Sequence, residues 1–159
     1  MRGAVSKQVR HFRILSVLMG LTLLFIWGHS MVPAKLSSEE SSRFVVFFNG
    51  LISDVGGSFF VTDHMVRKTA HFIEYAVLGA ETALRTKWKN AISPGRSGKC
   101  PDALFFWVGV PVTDELIQYF TPGRACMIQD VILDMSGFAA GYGSMQIISS
   151  LAGKNNRFK

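Results

Sequence analysis

The chain has 159 residues, 48% of them hydrophobic and 18% charged, and its mean hydropathy is +0.26, which allows a single domain over residues 1–159 with a large apolar surface. A net charge of +6 and a pI near 9.6 would suit nucleic acid, but the basic residues lie between apolar segments instead of forming one patch interleaved with exposed aromatics. That excludes nucleic acid as a partner and points to membrane topology, with the lipid bilayer as the surroundings.

In chain order, the first apolar run covers about residues 14–32 and holds no formal charge at neutral pH. At about 1.5 Å per residue it nearly matches a hydrocarbon core of roughly 30 Å, so it predicts a transmembrane helix. "MRGAVSKQVRHFR" before it resembles the basic start of a signal peptide, yet no small-x-small cleavage site follows, so an uncleaved span is expected. "SSEESSRFVVFFNGLIS" comes next. Ser37 stands three residues before Glu40, a capping-box spacing, and Phe44, Phe47, Phe48 and Leu51 fall on one helical face. A short helix is predicted here, lying on the membrane interface or packed over the span ends. "SDVGGS" reads as a turn.

A second span is predicted over about 69–86, with His71, Glu74 and Glu81 inside it, and a third over about 103–120, where Asp114 ends the uncharged stretch. Neither carries enough apolar gain to insert alone, because a charge at a helix centre costs about 2.5–3.5 kcal/mol on insertion scales. Such segments must turn their charges toward protein or water. Pro111 removes a backbone hydrogen bond and predicts a kink just before Asp114 and Glu115. "NAISPGRSGKCP" between the two spans is a loop by composition. The fourth span is predicted over about 131–152, where Gly137 and Gly141 supply a small-residue groove for close packing. The fold class is therefore all-α: a polytopic membrane protein with four transmembrane helices in one bundle and a short interfacial helix in its first outer loop.

Twelve of the seventeen basic residues fall at the N-terminus, in the loop near 85–102 and at the C-terminus. The positive-inside rule then predicts a multi-pass protein of the bacterial cytoplasmic membrane with both termini cytoplasmic. Cys100 and Cys126 would lie on opposite faces, which excludes a disulfide between them. In this topology Lys68, His71, Glu74 and Tyr75 descend from the outer end, Asp114, Glu115 and Gln118 rise to it, and Arg124, Asp130 and Asp134 follow the last outer turn. The ionisable groups gather at one level. Lys68, His71 and Tyr75 share a helical face, while Asp114 points about 100° away from Glu115, so not all of them can enter one pocket.

The motifs "RKTAHFIEYAVLG", "TDELIQYFTPGR" and "DVILDMSGFAAG", in this order and spacing, resemble the VanZ-like family of bacterial membrane proteins, and "HSMVPAKLSSEESSR" is similar to that family's Ser-rich segment after the first span. The resemblance covers roughly residues 27–143. Carried onto matching positions, it singles out Lys68, His71, Glu115, Gln118, Arg124 and Asp130, followed by Asp114 and Asp134. Two positions depart from the form that many members show: Arg67 stands where an acidic residue is frequent and Asp134 where Asn is frequent, and both alter the charge of the site. The family's founding member is linked to low-level teicoplanin resistance, so the resemblance implies a process in the cell envelope more readily than a reaction.

Two functions of different class follow. In the first, an outer-facing pocket with Lys68 and Arg124 holds an anionic group of a lipid-linked cell-wall precursor or of a lipoglycopeptide, with the carboxylates orienting the cations. In the second, the protein is an intramembrane hydrolase or transferase in which His71 or Glu115 is the general base and Lys68 with Arg124 stabilises developing negative charge. Ion movement is disfavoured, since the inner halves of the spans offer little beyond Glu81. The same residues could instead form a structural clamp. Without a His-x3-His or Cys-x2-Cys spacing, no metal and no cofactor is expected.

Overall fold

A computed structural model describes residues 2–93 and 101–155, and every regular element among them is helical. α1 spans Arg2–Ser30, α2 Ala34–Asp54, α3 Asp63–Ile92 and α6 Ile128–Asn155. Between α3 and α6 lies one continuous helical stretch made of α4 (Pro101–Leu104), a π turn (Phe105–Gly109) and α5 (Val110–Tyr119). Residues 94–100, including Cys100, lie outside the described residues, while the first part of the expected loop, with Arg85, Lys87 and Lys89, belongs to α3.

Local chemistry sets the boundaries. α1 ends where Val32 precedes Pro33, since a residue before proline is pushed out of the helical region, and Pro33 itself opens α2 as its N-cap without a side-chain cap bond. The capping box expected at Ser37 is therefore not formed: α2 starts three residues earlier, and Ser37 lies within the helix with its carbonyl accepting from the Ser41 hydroxyl at 2.8 Å. α2 is also longer than the short helix expected, at 21 residues. Gly56, at a φ of 75°, takes the left-handed turn that follows it. The return segment is held by Asn49, which accepts from the Val61 amide at 2.7 Å and donates to the Val61 carbonyl at 3.0 Å. Thr62 then caps α3 by accepting from the Met65 amide. α3 starts at Asp63, six residues before the expected span, because this cap lies upstream of the apolar run that the hydropathy reading followed.

α3 packs along α6 and also against α1. The core is Met19, Ile26, Tyr75, Leu78, Val110 and Phe138. Approach between α3 and α6 is backbone to backbone. A Cβ at Gly141 would fall 1.8 Å from the Ala76 carbonyl oxygen, one at Gly79 2.1 Å from that of Phe138, and one at Gly137 2.5 Å from that of Phe72. Pro111 is accommodated by the π turn just before it, in which the Val110 amide reaches back to the Phe105 carbonyl. Among the described residues one helix segment, Ser6–Ser30, is long and apolar enough by itself to cross a membrane. The exterior of the other helices is nonetheless rich in apolar side chains, among them Ile132, Ile147, Ile148 and Leu151 on α6 and Leu104, Phe105, Val112 and Leu116 on the 101–119 stretch.

The start of α4 is tied to the end of α3 by Asp102, which accepts from Lys89 Nζ at 2.8 Å and Arg85 Nη1 at 3.4 Å. The Lys89 hydrogen bond, assisted by the charges of Lys89 and Arg85, holds the Asp102 carboxyl below the usual carboxylate range. Being partly exposed, this ion pair contributes at most about 1 kcal/mol. A depressed carboxylate stabilises above its unfolded value of about 4 and stops doing so as pH falls through its folded value. The melting-temperature gap between wild type and Asp102→Asn in detergent should accordingly be small at pH 7 and close on acidification. A larger effect is expected in the α3/α6 seam. Gly141→Ala should lose about 2–3 kcal/mol by overpacking against a rigid carbonyl, whereas Gly143→Ala, whose Cβ meets nothing within 4 Å, should hold or gain up to about 1 kcal/mol from helix propensity. Equal melting temperatures for the two variants would contradict the seam.

Candidate functional site

The segment after α5 folds back onto the α1/α2 corner. Thr121 donates to the Ser30 carbonyl at 3.1 Å, the Ala34 amide donates to the Pro122 carbonyl at 3.2 Å, and Gly123 adopts a φ of 76° to turn the chain. That turn aims Arg124 at the C-terminal end of α1. Its Nε donates to the Val32 carbonyl at 2.9 Å and its Nη2 to that of His29 at 3.2 Å. A helix C-terminus leaves carbonyls without intrahelical partners and carries partial negative charge, so a guanidinium there is both hydrogen-bonded and electrostatically favoured. Among the described residues Arg124 has no carboxylate within ion-pair distance.

Beside it lies a cavity of about 230 Å³. Lys68, His71, Glu115, Gln118, Arg124, Asp130 and Asp134 all line it, together with His64 and Arg67. Seven of the eight candidate residues thus come from α3, α5, the 120–127 turn and α6 to one hollow. Asp114 does not line it. Fully buried behind it, Asp114 accepts from Gln118 Nε2 at 3.2 Å, as its roughly 100° offset from Glu115 requires.

The cavity has two levels. At the rim Lys68 Nζ pairs with Asp130 Oδ1 at 3.0 Å, and both side chains retain about a quarter to a third of their exposure. Deeper in, His71 Nδ1 stands 3.8 Å from Asp114 Oδ2 and 3.9 Å from Asp134 Oδ1. Those separations are too long for hydrogen bonds. Glu115 takes a third position: its Oε2 accepts from the Met127 amide at 2.8 Å, just before α6, while its Oε1 has no hydrogen-bond partner.

His29 and Ser30 were not among the candidates, yet they complete the surround. The His29 ring stacks on that of His71 with centroids 5.8 Å apart and planes at 18°, and its Nδ1 sits 3.1 Å from Glu74 Oε1. Ser30, fully buried, accepts from Gln118 Nε2 at 3.5 Å. The sequence signals for the pair are their polarity near the end of the first apolar run and their place at the head of the "HSMVPAKLSSEESSR" segment, neither of which points to His71. Glu81 lies apart from the cavity and accepts from Thr22 of α1 at 3.2 Å.

The model of the VanZ/LLP1 family matches residues 13–149, which includes every element of this site. The chain belongs to the VanZ/LLP1 family. No curated protein and no solved structure matches it. Membership makes the chain a VanZ-like protein of the cell envelope, and the VanZ/LLP1 match contains the whole of the cavity together with the α3/α6 seam. The Glu115 contact yields a direct test of local architecture. Glu115→Gln keeps a carbonyl for the Met127 amide and should leave stability within about 0.5 kcal/mol, whereas Glu115→Ala strands that amide and should cost about 1–3 kcal/mol. Unfolding of both variants in mild detergent, followed by circular dichroism, checks the difference.

Proposed function

We propose that this VanZ/LLP1 member is a four-span protein of the bacterial cytoplasmic membrane that binds the anionic group of a lipid-linked cell-wall precursor or of a lipoglycopeptide in the cavity beside Arg124, and that it contributes in this way to teicoplanin resistance. In this reading spans of about 14–32 in α1, 69–86 in α3, 103–120 and 131–152 in α6 cross the bilayer, both termini are cytoplasmic, and α2 lies in the outer interface. The exposed apolar exterior supports it, because a helix bundle that turns Ile, Leu and Phe outward matches lipid and mismatches water. α2 supports it also: Phe44, Phe47, Phe48 and Leu51 form one face and are 43–65% exposed.

The observation that carries the reading is the state of Arg124. A guanidinium has five N–H donors, of which Arg124 commits those on Nε and Nη2 to carbonyls, so a charged group without a carboxylate partner remains at the wall of a hollow wide enough for a phosphate or carboxylate. Lys68 adds a second cation at the rim. A hydrolase or transferase is the second reading, favoured by Glu115 Oε1, an unpartnered carboxylate oxygen on a residue that lines the same cavity and could act as general base, with His71 beside it.

Binding is tested with the full chain in nanodiscs and a soluble-chain analogue of an undecaprenyl-type diphosphate. Arg124→Gln and Lys68→Gln should each weaken binding by about tenfold, or about 1.4 kcal/mol, and should lose teicoplanin protection at membrane levels equal to wild type. Unchanged affinity in both variants would sink the binding reading. Turnover of the analogue that Glu115→Gln abolishes without loss of binding would establish the enzymatic one. Topology has its own test: Cys126 is exposed, so in a Cys100→Ser background an impermeant maleimide should label it on intact spheroplasts. Labelling only after permeabilisation would reverse the orientation.

A further inference from the structure

The floor of the cavity and the layer just behind it hold more carboxylates than cations pair with. Lys68 pairs with Asp130, and among the described residues Arg124 has no carboxylate within ion-pair distance. That leaves Asp114 and Asp134 facing one imidazole. Asp134 is 1% exposed and neither of its oxygens has a hydrogen-bond partner among the described residues; Asp114 is 0% exposed and its Oδ1 has none among them. Burying a carboxylate without donors costs several kcal/mol, so the two Asp134 oxygens above all call for a proton or a cation, while Asp114 keeps one oxygen on Gln118.

The geometry favours a cation. One ligand atom from each of His71, Asp114 and Asp134 can be chosen so that all three lie within 4.8 Å of one another. The 3.8 and 3.9 Å separations from His71 Nδ1 are too long for hydrogen bonds, and lie a few tenths of an ångström beyond the roughly 3.4 Å at which a tetrahedral metal about 2.1 Å from each ligand sets them. A small rotation of the two carboxylates would close the set. Gln118 already fixes Asp114 by a hydrogen bond to Oδ2, and the stacked His29 ring fixes the His71 plane, which is the outer support that metal ligands require.

We propose that His71 and Asp134, which line the floor of the cavity, and Asp114, buried just behind it, bind one divalent first-row metal ion, Zn²⁺ by preference, with its open coordination position facing the hollow. Imidazole suits zinc and carboxylate suits manganese, and three protein ligands with one open position is the arrangement of reactive zinc sites. The ligands come one each from α3, α5 and α6, which is why no ligand spacing within one helix announces them. The inference deepens the proposed binding function by adding a metal that could take an anionic oxygen of the same ligand.

The test uses full-length protein in detergent, with any affinity tag removed, stripped by chelator and then dialysed against Zn²⁺ or Mn²⁺ alone. Mass-spectrometric metal analysis should find one equivalent in wild type and in Asp130→Asn, and less than a tenth of that in His71→Gln and Asp134→Asn. Zinc should raise the melting temperature of wild type and of Asp130→Asn, and leave those of His71→Gln and Asp134→Asn unchanged. If the variants do not purify as folded protein, zinc-edge X-ray absorption of wild type should show one imidazole among oxygen ligands. No bound metal in wild type with either ion, full retention in both floor variants, or a spectrum with sulfur or several imidazoles would each overturn the site. Because no lipid analogue is present, a negative result leaves the anion-binding reading standing, and failure of that reading leaves the metal result intact.

Discussion

Everything at the site depends on how closely α3 and α6 can approach. Three glycines, Gly79, Gly137 and Gly141, let the two backbones touch where any side chain would collide with a carbonyl. Such a seam gains dispersion contacts over its whole length and places Cα hydrogens against carbonyl oxygens, a weak but repeated attraction. It suits surroundings in which apolar side chains gain nothing by hiding from lipid, because tight packing rather than water exclusion then holds helices together. The seam also sets the chemistry. Phe72, whose carbonyl abuts Gly137, immediately follows His71, and Asp134 lies three residues before Gly137 on the same side of α6. Contact at the glycines therefore brings His71 and Asp134 together as a consequence.

The other two contributors reach the same place by different means. In the 101–119 stretch the π turn before Pro111 inserts an extra residue per turn, which shifts the phase of everything after it by about 100° relative to a continuous α-helix. Trp107 can then donate to the Met135 carbonyl of α6 at 3.1 Å while Asp114, seven residues on, enters the interior. α1 contributes through its end. Its terminal carbonyls attract Arg124, and that bond fixes the turn from which α6 departs. A single cation thus secures one helix and aligns the start of another.

Sequence reasoning reached some of this and not the rest, for identifiable reasons. Apolar runs and turn residues were sufficient to give an all-helical chain, and helical spacing separated Asp114 from Glu115. The glycine pair Gly137 and Gly141 was legible as a packing face because small residues four apart fall on one side of a helix. Boundaries were less accessible: hydropathy follows apolar content, while α3 begins at the Thr62 cap in a polar segment, and α2 begins at Pro33, which makes the serine spacing at Ser37 irrelevant. His29 escaped notice because its role comes from stacking on a residue 42 positions away. A three-helix ligand set escapes motif reading in the same way, since its spacing exists only in the folded protein.

A structural clamp accounts for part of this charge but not all of it. Ions that serve only to lock helices together must pair, because an unpaired buried charge costs more than the lock returns. The Lys68 to Asp130 contact at the rim meets that condition, and so does the His29 to Glu74 contact. The floor does not: Asp134, 1% exposed, presents two oxygens that have no donor among the described residues. Replacing it by a packed apolar side chain would relieve the bundle of that cost, so stability alone gives no reason to keep a carboxylate there. What the carboxylate offers is affinity for something positive that the chain itself does not supply. The rim holds the helices; the floor is organised for an occupant.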